Sequence, residues 1–174
     1  MVWCVGLLWR RLGGGACPGH NARSEDRASG RREDCCGGSR WVSGMLARRP
    51  FRSRALVLSA ADEVLGSLDP RDWQEAFAHH PRIGERKGAT TWASAEQAGA
   101  CRAVSAGSSA LVETNREYEQ RFGYIYIVCA TGKTGEEMLA IAQQRLTNAP
   151  EDELRVAAEE QRKITHLRLM KLVS

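Results

Sequence analysis

The sequence predicts an all-α protein, a single-domain helical bundle preceded by a disordered N-terminal extension. Apolar residues recur at helical spacing through most of residues 33–174, and capping residues precede these stretches. The exception is residues 124–130, which are β-branched and aromatic like a buried strand. Because a lone strand has no pairing partner in this sequence, we expect that segment to be a short extended piece.

Residues 1–32 are predicted to be a disordered or extraneous extension. They contain Gly13-Gly14-Gly15, scattered Ser and Arg, and no sustained periodicity. Residues 2–9 are apolar but too short to span a bilayer, and arginines follow them, the reverse of a secretory signal. The interpretations left open are a dispensable extension, a misassigned start codon and an organelle transit peptide. Residues 33–174 are sufficient for one substantial core.

The first helices of the domain are predicted from caps followed by apolar periodicity. Ser53 caps a helix that continues to residue 68. Four apolar side chains are expected on its inner side: Leu56, Ala60, Val64 and Leu68. Asp69 caps the next helix, with Pro70 in the first helical position and Asp72 in the first turn, where negative charge opposes the helix dipole.

The remaining helices follow from similar signals. Gly123 is predicted as the C′ glycine of one helix, and Leu146 ends another. Four starts are expected, at Ser94 or Ala95, at Ser108 or Ser109, at Thr131 or Thr134, and at Asn148 with Pro150.

His80 is the first candidate for chemistry. Trp73, Phe77 and His80 recur at i, i+4 and i+7, which places the imidazole in line with two apolar anchors. Pro81 ends the helix, so His80 is expected at a helix C-terminus, where unpaired carbonyls favour the imidazolium. Such a group suits proton donation near neutral pH. The alternative is a buried or capping histidine.

Arg168 is the second candidate. The last helix is predicted to bury one face, formed by Leu154, Ala158, Leu169 and Leu172. Arg168 projects within this apolar arc, near Gln161 and Thr165. A buried unpaired charge costs several kcal/mol, so the guanidinium needs an anionic ligand, an ion pair with a neighbouring helix, or a stem that reaches solvent.

Charge and cysteine usage narrow the function classes. The formal net charge of +4 is carried by residues 1–32, and residues 33–174 are neutral overall. Without a basic stripe, no nucleic-acid partner is expected, and no membrane partner either. The spacing of the six cysteines fits no complete zinc site, since Cys17 and His20 form only half of one. We expect reduced structural thiols and no metal.

Residues 124–134 offer a rival interpretation. A strand-like run, then Gly132-Lys133-Thr134, then a helix imitates a phosphate-binding loop. The first glycine of that pattern would be Ile127, whose side chain is incompatible with the close backbone that wraps a phosphate. No alternating strand and helix order builds the parallel sheet either. Another alternative is a non-catalytic helical binding module, in which His80 and Arg168 are merely structural.

Several separated motifs, in order over about residues 35–172, together resemble the 2-oxo-4-hydroxy-4-carboxy-5-ureidoimidazoline (OHCU) decarboxylase family. No single motif would suffice. They are Cys35-Cys36-Gly37 with Trp41, Met45 and Arg49-Pro50-Phe51, His80-Pro81-Arg82-Ile83-Gly84, Glu96-Gln97, Arg121-Phe122-Gly123, Val128-Cys129-Ala130-Thr131-Gly132-Lys133, and Lys163-Ile164 with Leu167-Arg168-Leu169.

The resemblance implies a cofactor-independent carboxy-lyase that converts OHCU to S-allantoin in urate degradation. It implies that His80 is the proton donor. It also implies a set of substrate-binding residues: Pro81, Glu96, Gln97, Tyr126, Ile127, Val128, Cys129, Ala130 and Arg168. No cofactor is expected, and the partner is a small ureidoimidazoline molecule.

The chain departs from the family pattern at one position. A serine usually stands three residues before the Glu, and here that position is Ala93, so Ser94 would have to substitute by a shift of one residue. The resemblance also implies a homodimer. A cytoplasmic location is expected, because the last residues, Leu172-Val173-Ser174, do not match the peroxisomal tripeptide of some members.

Overall fold

The computed structural model describes residues 34–83 and 108–173. Within these ranges the chain forms six helices and no strand, which confirms the all-α prediction. The helices are α1 (Ser39–Ala47), α2 (Arg54–Leu65), α3 (Pro70–Ala78), α4 (Ser108–Phe122), α5 (Gly135–Arg145) and α6 (Pro150–Leu172). The predicted extension of residues 1–32 and the helix predicted from Ser94 or Ala95 lie outside the described residues.

Helix α2 begins where predicted but is shorter and rotated. The Ser53 hydroxyl accepts a hydrogen bond from the Leu56 N–H at 3.3 Å, as expected of an N-cap. The helix ends at Leu65 rather than at residue 68. The prediction that Leu56 faces inward is wrong, since it is 50% exposed. The buried stripe is centred further round the helix, on Val57, Ala60, Ala61, Val64 and Leu65.

Helix α3 has the predicted cap. The Asp69 carboxylate accepts hydrogen bonds from the N–H groups of Arg71 and Asp72, at 2.9 and 3.1 Å. The Asp72 carboxylate accepts in return from the Asp69 N–H at 2.9 Å, which completes a capping box. This double cap fixes the start of α3. The helix ends at Ala78, two residues before His80.

The later helices also largely follow their signals. Gly123 has φ +78°, as predicted for the residue that ends α4. Thr134, rather than Thr131, caps α5 and exchanges hydrogen bonds with Glu137. Residues 125–130 are in neither a helix nor a strand, and no strand pairs with them in the described ranges, in agreement with the expected lone segment. Ala149 takes the cap position of α6, while the Asn148 side chain instead donates to Glu153 Oε2 at 2.7 Å.

The core consists of two clusters that α6 connects. Trp41, Met45 and Leu169 belong to the first cluster, beneath α1 and α2. Phe77 and Ile164 belong to the second, beneath residues 124–130. Trp73 packs against both clusters. The site described below therefore lies on a frame that spans the domain.

The buried side of α6 differs from the predicted one. Leu154 and Ala158, predicted to face inward, are only partly buried. The buried stripe is unusually polar and consists of Glu153, Ala157, Gln161, Ile164, Thr165, Arg168 and Leu169. The apolar pattern points elsewhere because the inner face of α6 is largely satisfied by hydrogen bonds rather than by apolar packing.

The described cysteines agree with the expected reduced thiols. Cys35, Cys36 and Cys129 are buried, and none of them forms a disulfide bond within the described residues. Burial raises the pKa of the Cys36 thiol to about 11, so this group stays neutral at physiological pH. Over the described ranges, no helix has both the length and the apolar character needed to cross a bilayer.

Candidate active site

A pocket forms where the end of α3, residues 126–130 and α6 meet. Eight of the ten predicted site residues line it: His80, Pro81, Tyr126, Ile127, Val128, Cys129, Ala130 and Arg168. Ile83, Thr131, Ile164 and Leu167 complete the described part of the lining. Glu96 and Gln97, the other two predicted residues, lie outside the described residues, as does Ala93. Residues more than eighty positions apart in the chain thus meet at one place.

His80 is held by its neighbours in α3. Its N–H donates to the Phe77 carbonyl at 3.0 Å, just past the last turn of the helix. Phe77 is fully buried, and its ring packs against Trp73 and Tyr124 with centroid distances of 6.1 and 5.2 Å. The imidazole therefore follows the two apolar anchors, as the spacing predicted.

Gly37 fixes the end of α3 from outside the helix. A side chain at Gly37 would meet His79 at once, because its Cβ would lie 2.1 Å from His79 Cγ and 2.2 Å from His79 Cβ. His79 is also tied down, since its Nδ1 lies 2.9 Å from the Glu75 carbonyl oxygen. The backbone before α1 thus packs directly against the residue that precedes His80. The sequence motifs include Gly37 but gave it no structural role, because it belongs to no recognisable turn motif.

The electrostatic environment of His80 favours the neutral imidazole. Burial lowers its pKa from 6.5 to about 3, and the positive charge of Arg168 lowers it further, while the Gln161 side chain opposes both. The sequence-based expectation was the opposite, since a helix C-terminus favours the imidazolium. The helix effect is worth at most about 2 kcal/mol, and desolvation outweighs it here.

Arg168 supplies a buried positive charge beside the imidazole. It is 6% exposed, in the same stripe of α6 as Gln161 and Thr165, as predicted. Its Nη1 donates to the Asp34 carbonyl at 2.9 Å, which anchors the guanidinium to the backbone before α1. An anchored cation at the edge of a pocket is well suited to meet an anionic ligand.

The Cys129 peptide, in the wall of the pocket, is held on both sides. Its N–H donates to Glu160 Oε2 at 2.7 Å, and its carbonyl accepts from Lys133 Nζ at 2.8 Å. Burial raises the pKa of Glu160, but the hydrogen bonds from Lys163 and the Cys129 N–H, together with nearby lysine charges, outweigh it and keep that pKa below its usual value. Lys133, the lysine of the imitated phosphate loop, therefore holds the chain's own backbone.

A buried ionic cluster holds the same wall and was not foreseen. Arg145, 5% exposed, donates from Nη1 to the Ile127 carbonyl and from Nε to Glu153 Oε1, both at 2.8 Å. The Tyr118 hydroxyl donates to the same Glu153 oxygen. The guanidinium also stacks 4.9 Å from the centre of the Tyr126 ring. Arg145 lies in the last turn of α5 and Glu153 in the first turn of α6, so from sequence they look like ordinary helix-dipole charges.

Comparison with known proteins identifies the family. The family model for OHCU decarboxylase matches residues 21–170, which is most of the chain. The chain belongs to the OHCU decarboxylase family. The match begins within the segment predicted to be an extension. The predicted family and its enzyme class, a decarboxylase of urate degradation, are confirmed.

Two curated relatives show how far the similarity extends. The "Uric acid degradation bifunctional protein TTL" of Arabidopsis thaliana is 38% identical over 151 residues, covering 80% of this chain and 45% of that protein. The 2-oxo-4-hydroxy-4-carboxy-5-ureidoimidazoline decarboxylase of Amia calva is 30% identical over 138 residues, covering 76% of this chain and 79% of that one. The chain thus spans less than half of the Arabidopsis relative and most of the Amia enzyme.

Two solved structures share the fold. A crystal structure of an OHCU decarboxylase, determined in the presence of (S)-allantoin, superposes with a TM-score of 0.75 at 34% identity, covering 87% of this chain and 99% of that one. A structure of (S)-allantoin synthase gives a TM-score of 0.63 at 16% identity, with 90% and 54% covered. The second shows the fold alone. Family membership therefore favours the decarboxylase over the nucleotide-binding and non-catalytic alternatives.

Proposed function

We propose that this chain converts OHCU to S-allantoin, with His80 delivering the proton that sets the configuration of the product. The observation that carries the proposal is the convergence of His80 and Arg168 on one pocket. Family membership supports the reaction, and the geometry supports the assignment of roles. Such a pairing offers a proton carrier and a fixed cation within one small site.

The reaction places three demands on the pocket. The bond between ring carbon C4 and the carboxylate breaks, carbon dioxide leaves, and the electron pair is delocalised into the neighbouring C5=N bond, while the C4 hydroxyl proton moves to that ring nitrogen. C5, which carries the ureido group, then takes a proton from the imidazolium as the C4 oxygen becomes the carbonyl of allantoin, and the neutral imidazole is reprotonated from solvent. The protein has to hold the ring, accept the carboxylate and protonate one face only. Proton donation of this kind contributes roughly 100- to 10,000-fold in rate.

Substrate binding itself can charge His80. In the unliganded pocket, burial and the Arg168 charge keep the imidazole neutral. A carboxylate placed against the guanidinium compensates the positive charge that lowers the His80 pKa, and its own negative charge favours the imidazolium. The sign is a rise in that pKa on binding, with uptake of a proton. His80 therefore becomes a proton donor only when a substrate is bound.

The other predicted residues have binding roles in this proposal. Arg168 receives the substrate carboxylate, while Pro81 and residues 126–130 shape the cavity around the ring. Glu96 and Gln97 bind ring N–H and carbonyl groups, as the family resemblance implies. Arg145 and the bonds that hold the Cys129 peptide keep the wall in place, and rigid walls favour a single substrate pose.

The test uses OHCU generated freshly by enzymatic urate oxidation and hydrolysis, with the optical activity of allantoin followed over time. The His80→Asn variant should lose the acceleration and the enantiomeric excess while its far-UV circular dichroism stays unchanged. His166→Asn is the matched control, because His166 is on α6 but pairs with Asp62 at 2.7 Å, outside the residues that line the pocket. Undiminished activity of H80N would contradict the donor role.

The assembly is part of the proposal. We infer a homodimer, which the family resemblance supports. Leu167 on α6, which also lines the pocket, is a large apolar side chain that remains exposed and offers a contact for a second copy. Light scattering during gel filtration should give about twice the 19.2 kDa chain mass, and a monomer at micromolar concentration would refute this.

A cytoplasmic location is also proposed. A fluorescent fusion that keeps every residue of the chain should give a diffuse cytoplasmic signal. Signal confined to an organelle would overturn the assignment and would direct attention to residues 1–32 as a transit peptide.

A further inference from the structure

Gln161 is a buried amide behind the proton carrier. It is completely buried, on the inner stripe of α6, one turn before Ile164 and two turns before Arg168, which both line the pocket. Its side chain is close enough to His80 to raise the pKa of that group, against the effects of burial and Arg168. A rise is the effect expected of the amide oxygen, since an acceptor favours the protonated ring.

The orientation of this amide is fixed by a short hydrogen-bond chain. Gln161 Nε2 donates to Thr165 Oγ1 at 3.1 Å, and that hydroxyl donates to the Cys35 carbonyl at 3.4 Å. Because the Thr165 hydroxyl donates its single proton to the Cys35 carbonyl, it can only accept a hydrogen bond from Gln161. The NH₂ group must then face Thr165, and the oxygen Oε1 must face away from it.

The amide oxygen Oε1 of Gln161 is available to accept a hydrogen bond. It is buried, and among the described residues no donor meets it at normal hydrogen-bond geometry in the unliganded protein. A buried acceptor without a donor costs roughly 1–3 kcal/mol, so such groups usually have a purpose. Hydrogen bonds in catalytic sites are often long before the substrate arrives and shorten in the complex.

We propose that Gln161 is a positioning residue for His80, whose amide oxygen accepts the ring N–H that faces away from the substrate. This contact selects one imidazole tautomer and leaves the other nitrogen, on the pocket side, to carry the transferred proton. It also stabilises the imidazolium when the substrate carboxylate arrives. Gln161 itself does not touch the reacting carbon. The inference rests on the proposed donor role of His80.

The first test reads the tautomer directly and needs no turnover. The ¹⁵N shifts of His80 are recorded near pH 7 with hydantoin-5-acetate, a ring carboxylate that does not lose carbon dioxide. In the wild type, the nitrogen on the Gln161 side should be protonated in nearly all molecules. In Gln161→Met, which keeps the volume but removes the acceptor, the two tautomers should mix. Equal tautomer populations in both proteins would overturn the inference.

The second test separates positioning from simple packing. Q161M should lower kcat about 10- to 100-fold and reduce the enantiomeric excess of allantoin, with KM within about threefold. Gln161→Glu restores an acceptor, so it should recover most of kcat and raise the His80 pKa above the wild-type value. If Q161M fails to fold, Q161E decides alone, and an unchanged His80 pKa in that variant rejects the inference.

The controls distinguish this inference from the proposed function. Gln143→Met removes an exposed glutamine of α5, away from the pocket, and should leave kcat and the His80 tautomer as in the wild type. A wild-type protein that never decarboxylates OHCU would refute the proposed function, whereas the NMR comparison still decides the role of Gln161. Thr165→Val should resemble Q161M in the tautomer measurement, and Thr165→Ser should resemble the wild type.

Discussion

At the scale of single residues, the protonation of His80 is set by its surroundings rather than by its place in α3. A helix C-terminus favours the charged ring, but burial and the neighbouring Arg168 favour the neutral one and prevail. The sequence could show that His80 follows Trp73 and Phe77. It could not show that Arg168, far along the chain, would stand beside the imidazole.

This depressed pKa has a consequence for stability. Between pH 6.5 and about 3 the unfolded state binds a proton at His80 and the folded state does not, so the free energy of unfolding falls as pH falls through that window. The slope due to this residue is at most about 1.4 kcal/mol per pH unit. Urea unfolding of the wild type and H80N at about pH 7, 5 and 4 should show a steeper decline for the wild type. Parallel curves would contradict the shift.

At the scale of elements, the wall of the pocket is formed by residues 126–130, which have no strand partner within residues 34–83 and 108–173. Side chains from the neighbouring helices replace the missing ladder: Arg145 bonds the Ile127 carbonyl, while Glu160 and Lys133 bond the Cys129 peptide. Arg145 is in turn neutralised by Glu153, which is completely buried. A lone segment of this kind stays ordered because its polar groups are satisfied elsewhere.

Breaking this buried cluster should lower the free energy of unfolding far more than breaking an ion pair at the surface. Arg145→Met leaves the buried Glu153 carboxylate without its cation and should lower the free energy of unfolding by about 3–5 kcal/mol. Arg155→Met is the matched control, because its pair with Asp152 is exposed, and it should cost less than about 1 kcal/mol. Urea denaturation measures both. Equal losses in the two variants would contradict the structural role of the cluster.

Local sequence signals predicted some features of the helices, whereas features that depend on distant residues escaped prediction. Local signals sufficed for the caps at Asp69 and Thr134 and for the terminating Gly123, since each acts within a few residues. The inner face of α6 escaped prediction because it is polar and satisfied by partners distant in sequence. Arg145 escaped for the same reason. The pocket residues in the described ranges were predicted from the family resemblance. Family motifs mark residues that lie close together in the fold, whereas periodicity describes only one helix at a time.

At the scale of the whole molecule, the site lies where α6 meets the backbone that precedes α1. Helix α6 contributes Leu169 to one core cluster and Ile164 to the other, and Arg168 reaches the backbone before α1. That same backbone includes Gly37, packed against His79. The geometry of the pocket therefore depends on contacts between the beginning and the end of the domain.

A single methyl group should test this dependence. Gly37→Ala would place its Cβ 2.1 Å from His79 Cγ, so either the end of α3 or the backbone before α1 has to move. Misplacing a reacting group by about 1 Å can cost roughly 100-fold in rate, and we expect at least a tenfold loss of kcat. Gly38→Ala is the neighbouring control, because its Cβ would meet Ala76 at an ordinary 3.4 Å. Equal activity of the two variants would contradict this account.

The contact at Gly37 also bears on how natural variants of this enzyme should be interpreted. Gly37 has no side chain, carries no charge and is not among the residues that line the cavity. A ranking of substitutions by chemical character or by distance to the ligand would pass over it as harmless. A bulkier residue there would nevertheless be expected to lower the proposed decarboxylase activity, through a defect of alignment rather than of chemistry.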